Sequence, residues 1–338
     1  MSKITTIGLD LAKNVFHAVC CNESGKIIRK KMLKRFQVLT YFANLPQCLV
    51  GLEACAGAHY WARELQRLGH EVKLIPPQYV KPFVRGNKND YNDALAIAEA
   101  VTRPEMRFVS VKTTQQQDIQ ALHRLRERRI QDRTALCNQL RGLLAEYGLI
   151  MPVGVSVLRR RLPELLEDGE NNLSDLFRQL LAQSYRQLQQ LDEHIETYTR
   201  EIKRQNRENE ACQRLQTIPG YGDIVASVFF SVIGHGKDYR RGRDVSAAVG
   251  LVPRQHSSGG KDQLLGISKR GDRYLRGLLV HGARSVAIKA ADKDDRLSRW
   301  INRLIAKRGF NKAVVALANK LARIGWAILA KNTVYQAA

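Results

Sequence analysis

Ile4-Thr5-Thr6-Ile7-Gly8-Leu9-Asp10-Leu11-Ala12-Lys13, followed by Asn14-Val15-Phe16-His17-Ala18-Val19, decides how the first third of the chain reads. An apolar, β-branched run ends in a single carboxylate, and a second apolar run begins after four residues. This pattern predicts a strand, a tight turn and an antiparallel return strand, with Asp10 at the end of the first. A lone aspartate at such a place caps a turn. It gains chemical interest only where other carboxylates converge on it, and Glu53, Asp90 and Asp93 are placed to do so.

Working outward, Lys26–Leu33 reads as a third strand of basic, exposed character, and Phe36–Leu45 as helix. Gln47–Ala54 is another apolar run that closes on a carboxylate, Glu53. Ala58–Leu68 is an amphipathic helix ended by Gly69, a fitting C-cap. His70–Ile75 is a short strand stopped by Pro76-Pro77. Strands alternating with helices predict an α/β layer with a mostly parallel or mixed sheet. A basic connector, Lys81–Lys88, leads into a helix over Asn89–Ala100. Asp90 and Asp93, three apart, share one face near its start. The same pair would also serve a plain helix N-terminus, where carboxylates complement the macrodipole.

The 338 residues suffice for two or three domains, and 44% hydrophobic with 26% charged residues is ordinary for a folded chain. The charge balance is not ordinary: 55 basic against 32 acidic side chains give +23 and a pI near 10.0. That excess favours a polyanionic partner, nucleic acid above all. No stretch is read as approaching the roughly 20 apolar residues that span a bilayer. The chain opens directly on a strand, so no signal peptide is expected. Cys20, Cys21, Cys48, Cys55, Cys137 and Cys212 form no CxxC pair and have no His at zinc-ligand spacing, which points to a reducing cytoplasm and no zinc-type site.

From Thr113 strand signals stop. Gln115–Tyr147 reads as one long helix, most basic over His123–Arg129. A break at Gly148–Gly154 precedes a second helical stretch, Leu173–Ile202. There Leu181, Tyr185, Leu188, Leu191, Ile195, Tyr198 and Ile202 recur at threes and fours, the coiled-coil period. Such a stripe packs on the preceding helix or on another protomer, and the length of both helices favours a contribution to oligomerisation. A third region starts near Leu215. Thr217–Ala226 resembles the hairpin of a helix-hairpin-helix element, in which Gly220 and Gly222 would let backbone N–H groups approach a phosphate.

Lys237–Arg276 carries ten basic residues against four acidic ones. Within it, Val249–Lys261 is loop-like after its first residues, and Ser268–Asp272 opens a helix from Arg273 towards Ile288. Helices near Arg296–Lys307 and Lys312–Leu329 follow. Arg254, Lys261, Lys269, Arg270 and Arg273, with the backbone at Gly220 and Gly222, are the expected nucleic-acid contacts. The expected domains are 1–112, 113–205 and 206–338.

Two strand-end carboxylates and two on one helix face suit hard divalent cations such as Mg²⁺. Paired ions about 4 Å apart stabilise the attacking and leaving oxygens of a phosphodiester. With the polyanion inferred from charge, this composes a nuclease or nucleotidyl-transfer site of the ribonuclease-H-like type. Separately, a serine of Ser257-Ser258-Gly259-Gly260 could attack phosphorus, with Arg254, Lys261 or His256 stabilising charge. The plainer alternative is that these serines only touch phosphates.

Ile7-Gly8-Leu9-Asp10 with Ala12-Lys13, Leu52-Glu53-Ala54 with Gly57, and Asn87-Lys88-Asn89-Asp90 with Asp93-Ala94 resemble the insertion-sequence 110 family of transposases, 1111 group. So do Ile218-Pro219-Gly220-Tyr221-Gly222, Gly250-Leu251-Val252-Pro253-Arg254, Ser258-Gly259 and Ser268-Lys269-Arg270-Gly271. The resemblance spans nearly the whole chain. It implies a RuvC-like DEDD domain, a helical coiled-coil segment and a helical C-terminal transposase domain with a helix-hairpin-helix-like element. Asp10, Glu53, Asp90 and Asp93 match the Mg²⁺-binding carboxylates, and Ser258 matches the nucleophile that joins covalently to DNA. Implied partners are donor and target DNA, a structured guide (bridge) RNA encoded beside the gene, and further copies of the chain in a dimer or tetramer. Carboxylates and serine would come from different protomers, and the enzyme would work at the nucleoid in the bacterial cytoplasm. The competing readings are a metal-dependent junction resolvase or nuclease that does not need Ser258, and a non-catalytic DNA- or RNA-binding protein.

Overall fold

A computed structural model describes residues 3–87 and 89–337; Lys88, within one of the motifs above, lies outside the described residues. The chain forms two compact units, Met1–Thr113 and Thr114–Ala338.

In the first unit, β1 (Thr6–Asp10), β2 (Val15–Cys21), β3 (Ile27–Lys34), β4 (Leu49–Glu53) and β5 (Glu71–Ile75) form a mixed sheet in the order β3-β2-β1-β4-β5. The opening hairpin is antiparallel as expected, with Asp10 opposite His17, and β3 pairs antiparallel to β2. β4 joins β1 in parallel and β5 joins β4 likewise. Helices α1 (Val38–Ala43), α2 (Ala58–Arg67), α3 (Pro77–Val80) and α4 (Asp90–Val101) complete the layer.

Strand alternation sorts the side chains to the two faces. Ile7, Leu9, Phe16, Ala18, Val50 and Leu52 join Val38 and Phe42 of α1 and Trp61 and Leu65 of α2 in one core. The opposite face takes α4, where Val19 and Cys21 meet Ala94 and Ala98. Cys55, just past β4, is exposed, whereas Cys20, Cys21 and Cys48 are buried.

The second unit is helical: α5 (Thr114–Ala145), α6 (Val155–Glu167), α7 (Asp175–Arg207), α8 (Glu210–Gln216), α9 (Asp223–Ile233), α10 (Gly242–Ala248), α11 (Arg273–Ile288), α12 (Arg296–Arg308) and α13 (Phe310–Lys331). α5 and α7 run antiparallel. Arg126 Nε donates to Thr199 Oγ1 at 2.8 Å and Arg133 to Asp192 Oδ1 at 2.8 Å, so the pairing advances along one helix as it retreats along the other. Arg159 of α6 also pairs with Asp192.

The threes-and-fours stripe is spent inside the chain: Leu181, Leu188 and Leu191 are buried with Leu136, Leu140 and Leu144 of α5 and with Leu158 and Leu162 of α6. α6 itself occupies a stretch, between Gly154 and Leu173, for which no helix is expected. Pro163 lies inside it and disguises an apolar stripe of helical spacing. Helices on both sides of residue 205 pack together. Ile119 of α5 is buried in the same core as Phe229, Leu279 and Leu321, and buried His123 of α5 lies 3.0 Å from Ser227 Oγ of α9.

α13 corrects a further expectation. By length and composition it could cross a bilayer, yet it supplies the centre of this core through Val314, Leu317, Leu321 and Ile328.

Leu188 is fully buried at the α5–α7 seam, so Leu188→Ala should cost about 2–5 kcal/mol of stability, read by urea unfolding. His123 gives a pH dependence. Burial, and secondarily the charge of Arg126, lowers its pKa from 6.5 to about 4. Between these values the unfolded chain binds the extra proton, so stability is full above pH 6.5 and falls as the pH drops towards 4. The loss by pH 5 should be about 2 kcal/mol, and His123→Gln should flatten that slope.

Candidate active site

Alternation along the strands also decides where the carboxylates go. Gly8 faces α4, and Asp10, two residues on, emerges on the same face. Gly51 lies against Ile97 and Val101 of α4, and Glu53 follows it in the same way. Leu9 stands opposite Leu52 in the parallel ladder, so Asp10 and Glu53 lie one step further at the same edge. α4 can reach this edge because Gly8 has no side chain: a Cβ there would overlap the Ala94 carbonyl oxygen and lie 2.5 Å from the Ala98 nitrogen. The first turn of α4 then brings up Asp90 and Asp93, after Asn89 accepts the Tyr91 backbone N–H as N-cap.

The four carboxylates interact. Burial raises Asp10 from 3.8 to about 6, helped in order by the negative charges of Asp93, Asp90 and Glu53, with His17 opposing. Glu53 is raised as well, by burial and by Asp93. Asp93 thus acts on both strand-end carboxylates. His17, across the hairpin from Asp10, is a member of the site that the motifs do not mark. Its Nδ1 lies 3.5 Å from Asp90 Oδ2, and its ring meets Tyr91 edge-on at 4.8 Å. Turn length alone would set Asp10 opposite Val15; it is the observed register, with Asp10 opposite His17, that brings the imidazole into the site. Hard oxygen donors crowded into mutual repulsion fit a divalent cation, whose charge relieves that repulsion.

Ser258 belongs to the second unit, and the stretch expected as loop holds β6 (Pro253–Gln255) and the tip of a hairpin that β7 (Leu264–Ile267) completes. At its tip the Ser258 carbonyl accepts the Lys261 backbone N–H at 3.1 Å, around Gly259 (φ 56) and Gly260 (φ 77). Two central residues at positive φ define a type I′ turn, for which Gly-Gly is a recognised sequence signal. The glycines meet nothing within 4 Å, so their first duty is the turn. Among the described residues the Ser258 hydroxyl has no hydrogen-bond partner, whereas Ser257 Oγ accepts from Gln255 Nε2 at 2.9 Å.

The base of the hairpin is clamped. A Cβ on Gly250 would overlap the Arg270 carbonyl oxygen, and one on Gly271 that of Ala248. Arg276 donates at 3.0 Å to both Val249 and Arg270 carbonyls. Arg254, Lys261, Lys269, Arg270 and Arg273 lie at or near the surface, and none is in an ion pair among the described residues.

Gly220 and Gly222 flank the turn that leads into α9. Gly220 packs on the backbone of Gly282 in α11, since a Cβ on either would strike the other's carbonyl. Gly222 caps α9, and the adjoining Asp223 carboxylate accepts from Gln216 at 2.6 Å.

Residues 7–149 match a family model for transposases of the DEDD insertion-sequence 110 type, and residues 212–298 match the transposase IS116/IS110/IS902 family. A probable family 20 transposase of Pseudomonas aeruginosa is 46% identical over 98% of this chain and 99% of its own. The transposase for insertion sequence element IS1328 of Yersinia enterocolitica is 44% identical over 99% of each. That for IS1111A of Coxiella burnetii is 46% identical over 99% of this chain and 92% of its own.

The chain belongs to the insertion-sequence 110 transposase family. As such it is an insertion-sequence transposase, an enzyme that cuts and rejoins DNA. The mixed sheet followed by a helical unit fits a RuvC-like DEDD transposase, and the DEDD domain implies a divalent metal ion.

Because Asp10 is held up by burial and like charges, its ionised form destabilises the metal-free protein, fully above pH 6 and not at all below 3.8. Asp10→Asn should therefore raise the stability of the first unit in chelator at pH 7.5, by about 1–3 kcal/mol after allowance for solvent screening. Millimolar Mg²⁺ or Mn²⁺ should raise the melting temperature of the unmodified protein and leave that of Asp10→Asn where it was.

Proposed function

We propose that this transposase cleaves and exchanges DNA strands at specific sites through a covalent serine–DNA intermediate, guided by a structured RNA. Asp10, Glu53, Asp90 and Asp93 would hold Mg²⁺, and Ser258 would be the nucleophile. The observation that carries this reading is the convergence of four separately encoded carboxylates on one sheet edge, with Asp10 raised to about 6 by burial and its three companions.

In the transfer, Ser258 Oγ forms a bond to phosphorus, a phosphorus–oxygen bond of the DNA backbone breaks, and the freed deoxyribose hydroxyl keeps its oxygen and gains a proton. Rejoining reverses these steps on another strand, so phosphodiester energy is conserved. A bound divalent ion supplies neutralisation of the phosphoryl charge and acidifies a coordinated oxygen. The chain's own groups do the rest. The turn presents a hydroxyl that no described neighbour holds, and Arg254, Lys261, Lys269, Arg270 and Arg273 offer cations free of ion pairs for DNA phosphates.

Carboxylates and serine from different protomers of a dimer or tetramer would meet on the DNA in the bacterial cytoplasm, at the nucleoid, as the family resemblance implies. On this reading the α5–α7 pair would serve as the coiled-coil segment, and α8–α9 as the helix-hairpin-helix-like element. The excess of positive charge suits both DNA and a guide RNA. A metal-only nuclease or resolvase is the second reading, favoured by one observation: among the described residues no base is hydrogen-bonded to the Ser258 hydroxyl.

The test is trapping of a protein–DNA adduct with peptide mapping. Ser258→Ala should lose the adduct and strand exchange, by more than about 10³-fold as for removal of a covalent nucleophile, while guide and DNA binding persist. Ser257→Ala should be mild. Strand cleavage by Ser258→Ala at the normal rate would leave the metal-only reading standing instead.

A further inference from the structure

The carboxylate site has a neighbour of different chemistry. Asp10, His17 and Asp90 each offer one donor atom within 4.8 Å of the others. The cross-strand pairing of Asp10 with His17 fixes two of the three, since both side chains rise from the same face of the same hairpin. Tyr91, one residue past Asp90, stands edge-on to the imidazole and orients it. The side chain of His17 is only 13% exposed, against 61% for Asp90, so the imidazole is held while the carboxylate retains freedom to adjust.

With metal–donor bonds of about 2.1 Å, adjacent ligands of an octahedral ion lie about 3.0 Å apart and opposite ones about 4.2 Å. The 3.5 Å between His17 Nδ1 and Asp90 Oδ2 falls between these separations, within reach of a small rotamer change of Asp90.

We infer that His17 is a nitrogen ligand of the metal ion held by this site, giving a mixed carboxylate–imidazole centre that prefers a transition ion such as Mn²⁺ to Mg²⁺. The inference rests on the four-carboxylate reading above and adds the fifth donor and the metal preference. Its chemistry is simple. Mg²⁺ takes oxygen donors and keeps its waters, whereas imidazole favours first-row transition ions. One nitrogen donor among oxygens therefore tilts the choice without excluding Mg²⁺. The Nδ1 atom is the one presented, which leaves Nε2 to carry the proton when the metal binds.

The test is pulsed electron paramagnetic resonance on the full-length protein loaded with Mn²⁺ alone. The expected spectrum shows modulation from a directly bound ¹⁴N, which changes to the ¹⁵N pattern when the protein is grown on ¹⁵N-histidine. That isotope control needs no mutation, so it holds even if a variant folds poorly. His17→Gln should abolish the nitrogen modulation and weaken Mn²⁺ by about tenfold or more, as for lost support of a metal ligand, while Mg²⁺ affinity moves less.

Mn²⁺ that binds, is lost in Asp10→Asn and shows no nitrogen coupling would overturn the His17 assignment and leave the carboxylate site intact. Mn²⁺ that does not bind, or binds equally to Asp10→Asn, would overturn both. Nitrogen modulation that survives in His17→Gln would place a different histidine at the ion and overturn the assignment alone.

Discussion

The missing side chain at Gly8 is the constraint on which the carboxylate cluster depends. It lets α4 lie with its backbone directly on β1, against the Ala94 carbonyl and the Ala98 nitrogen. Gly51 admits the same helix one strand over, where Ile97 and Val101 fill the space. A helix held any further off would leave Asp90 and Asp93 short of the strand ends. Held this close, α4 closes an electrostatic trap: two strand carboxylates that would titrate normally in water are both pushed upward. The positive end of the helix macrodipole supports Asp90 and Asp93 in its first turn. Packing and charge therefore pull in opposite directions at one spot, a conflict that a divalent cation would relieve.

The serine is presented by the opposite strategy. Ser258 is exposed, and its position comes from backbone alone: a two-glycine turn at the tip and two glycine contacts at the base. Gly250 and Gly271 bring the strands' flanking segments together, with Arg276 tying the Val249 and Arg270 carbonyls. A short, exposed two-stranded ribbon is marginal by itself. The clamp at its root gives it a fixed origin while its tip stays open to a ligand.

The sheet is legible in the sequence because its strands are short, apolar and punctuated by carboxylates at their ends. Strand ends and a helix start mark Asp10, Glu53, Asp90 and Asp93 as candidates, and in the structure the charges of the other three act on Asp10. His17 escapes such a reading because it lies in a run of apolar residues, where a histidine passes for a core residue; only the pairing with Asp10 exposes it. The β6–β7 hairpin escapes because Pro253, Arg254 and Gln255 are all exposed, so no apolar alternation marks the strand. The Gly-Gly turn is the remaining clue. The stripe on α7 is legible as a stripe but not as to partner, since the period that buries Leu188 against α5 would equally bury it against a second copy.

Charge is arranged with the same economy. Along α5 and α7 several arginines are met by carboxylates three or four residues away, as in Arg128–Asp132 and Arg204–Glu201 and Glu208, where they are largely neutralised. Around the hairpin the five named cations have no such partners among the described residues. Exposed cations of this kind attract phosphates at long range and lose that attraction as salt rises. They do not, however, make a serine hydroxyl nucleophilic, and among the described residues no base stands hydrogen-bonded to Ser258 to do so. On the proposed mechanism its proton leaves only once DNA and a metal from another protomer are assembled around it. An exposed serine that is inert until the complex forms is what a strand-exchanging enzyme requires, because a nucleophile active in the free protein would cut DNA with no strand ready to be joined.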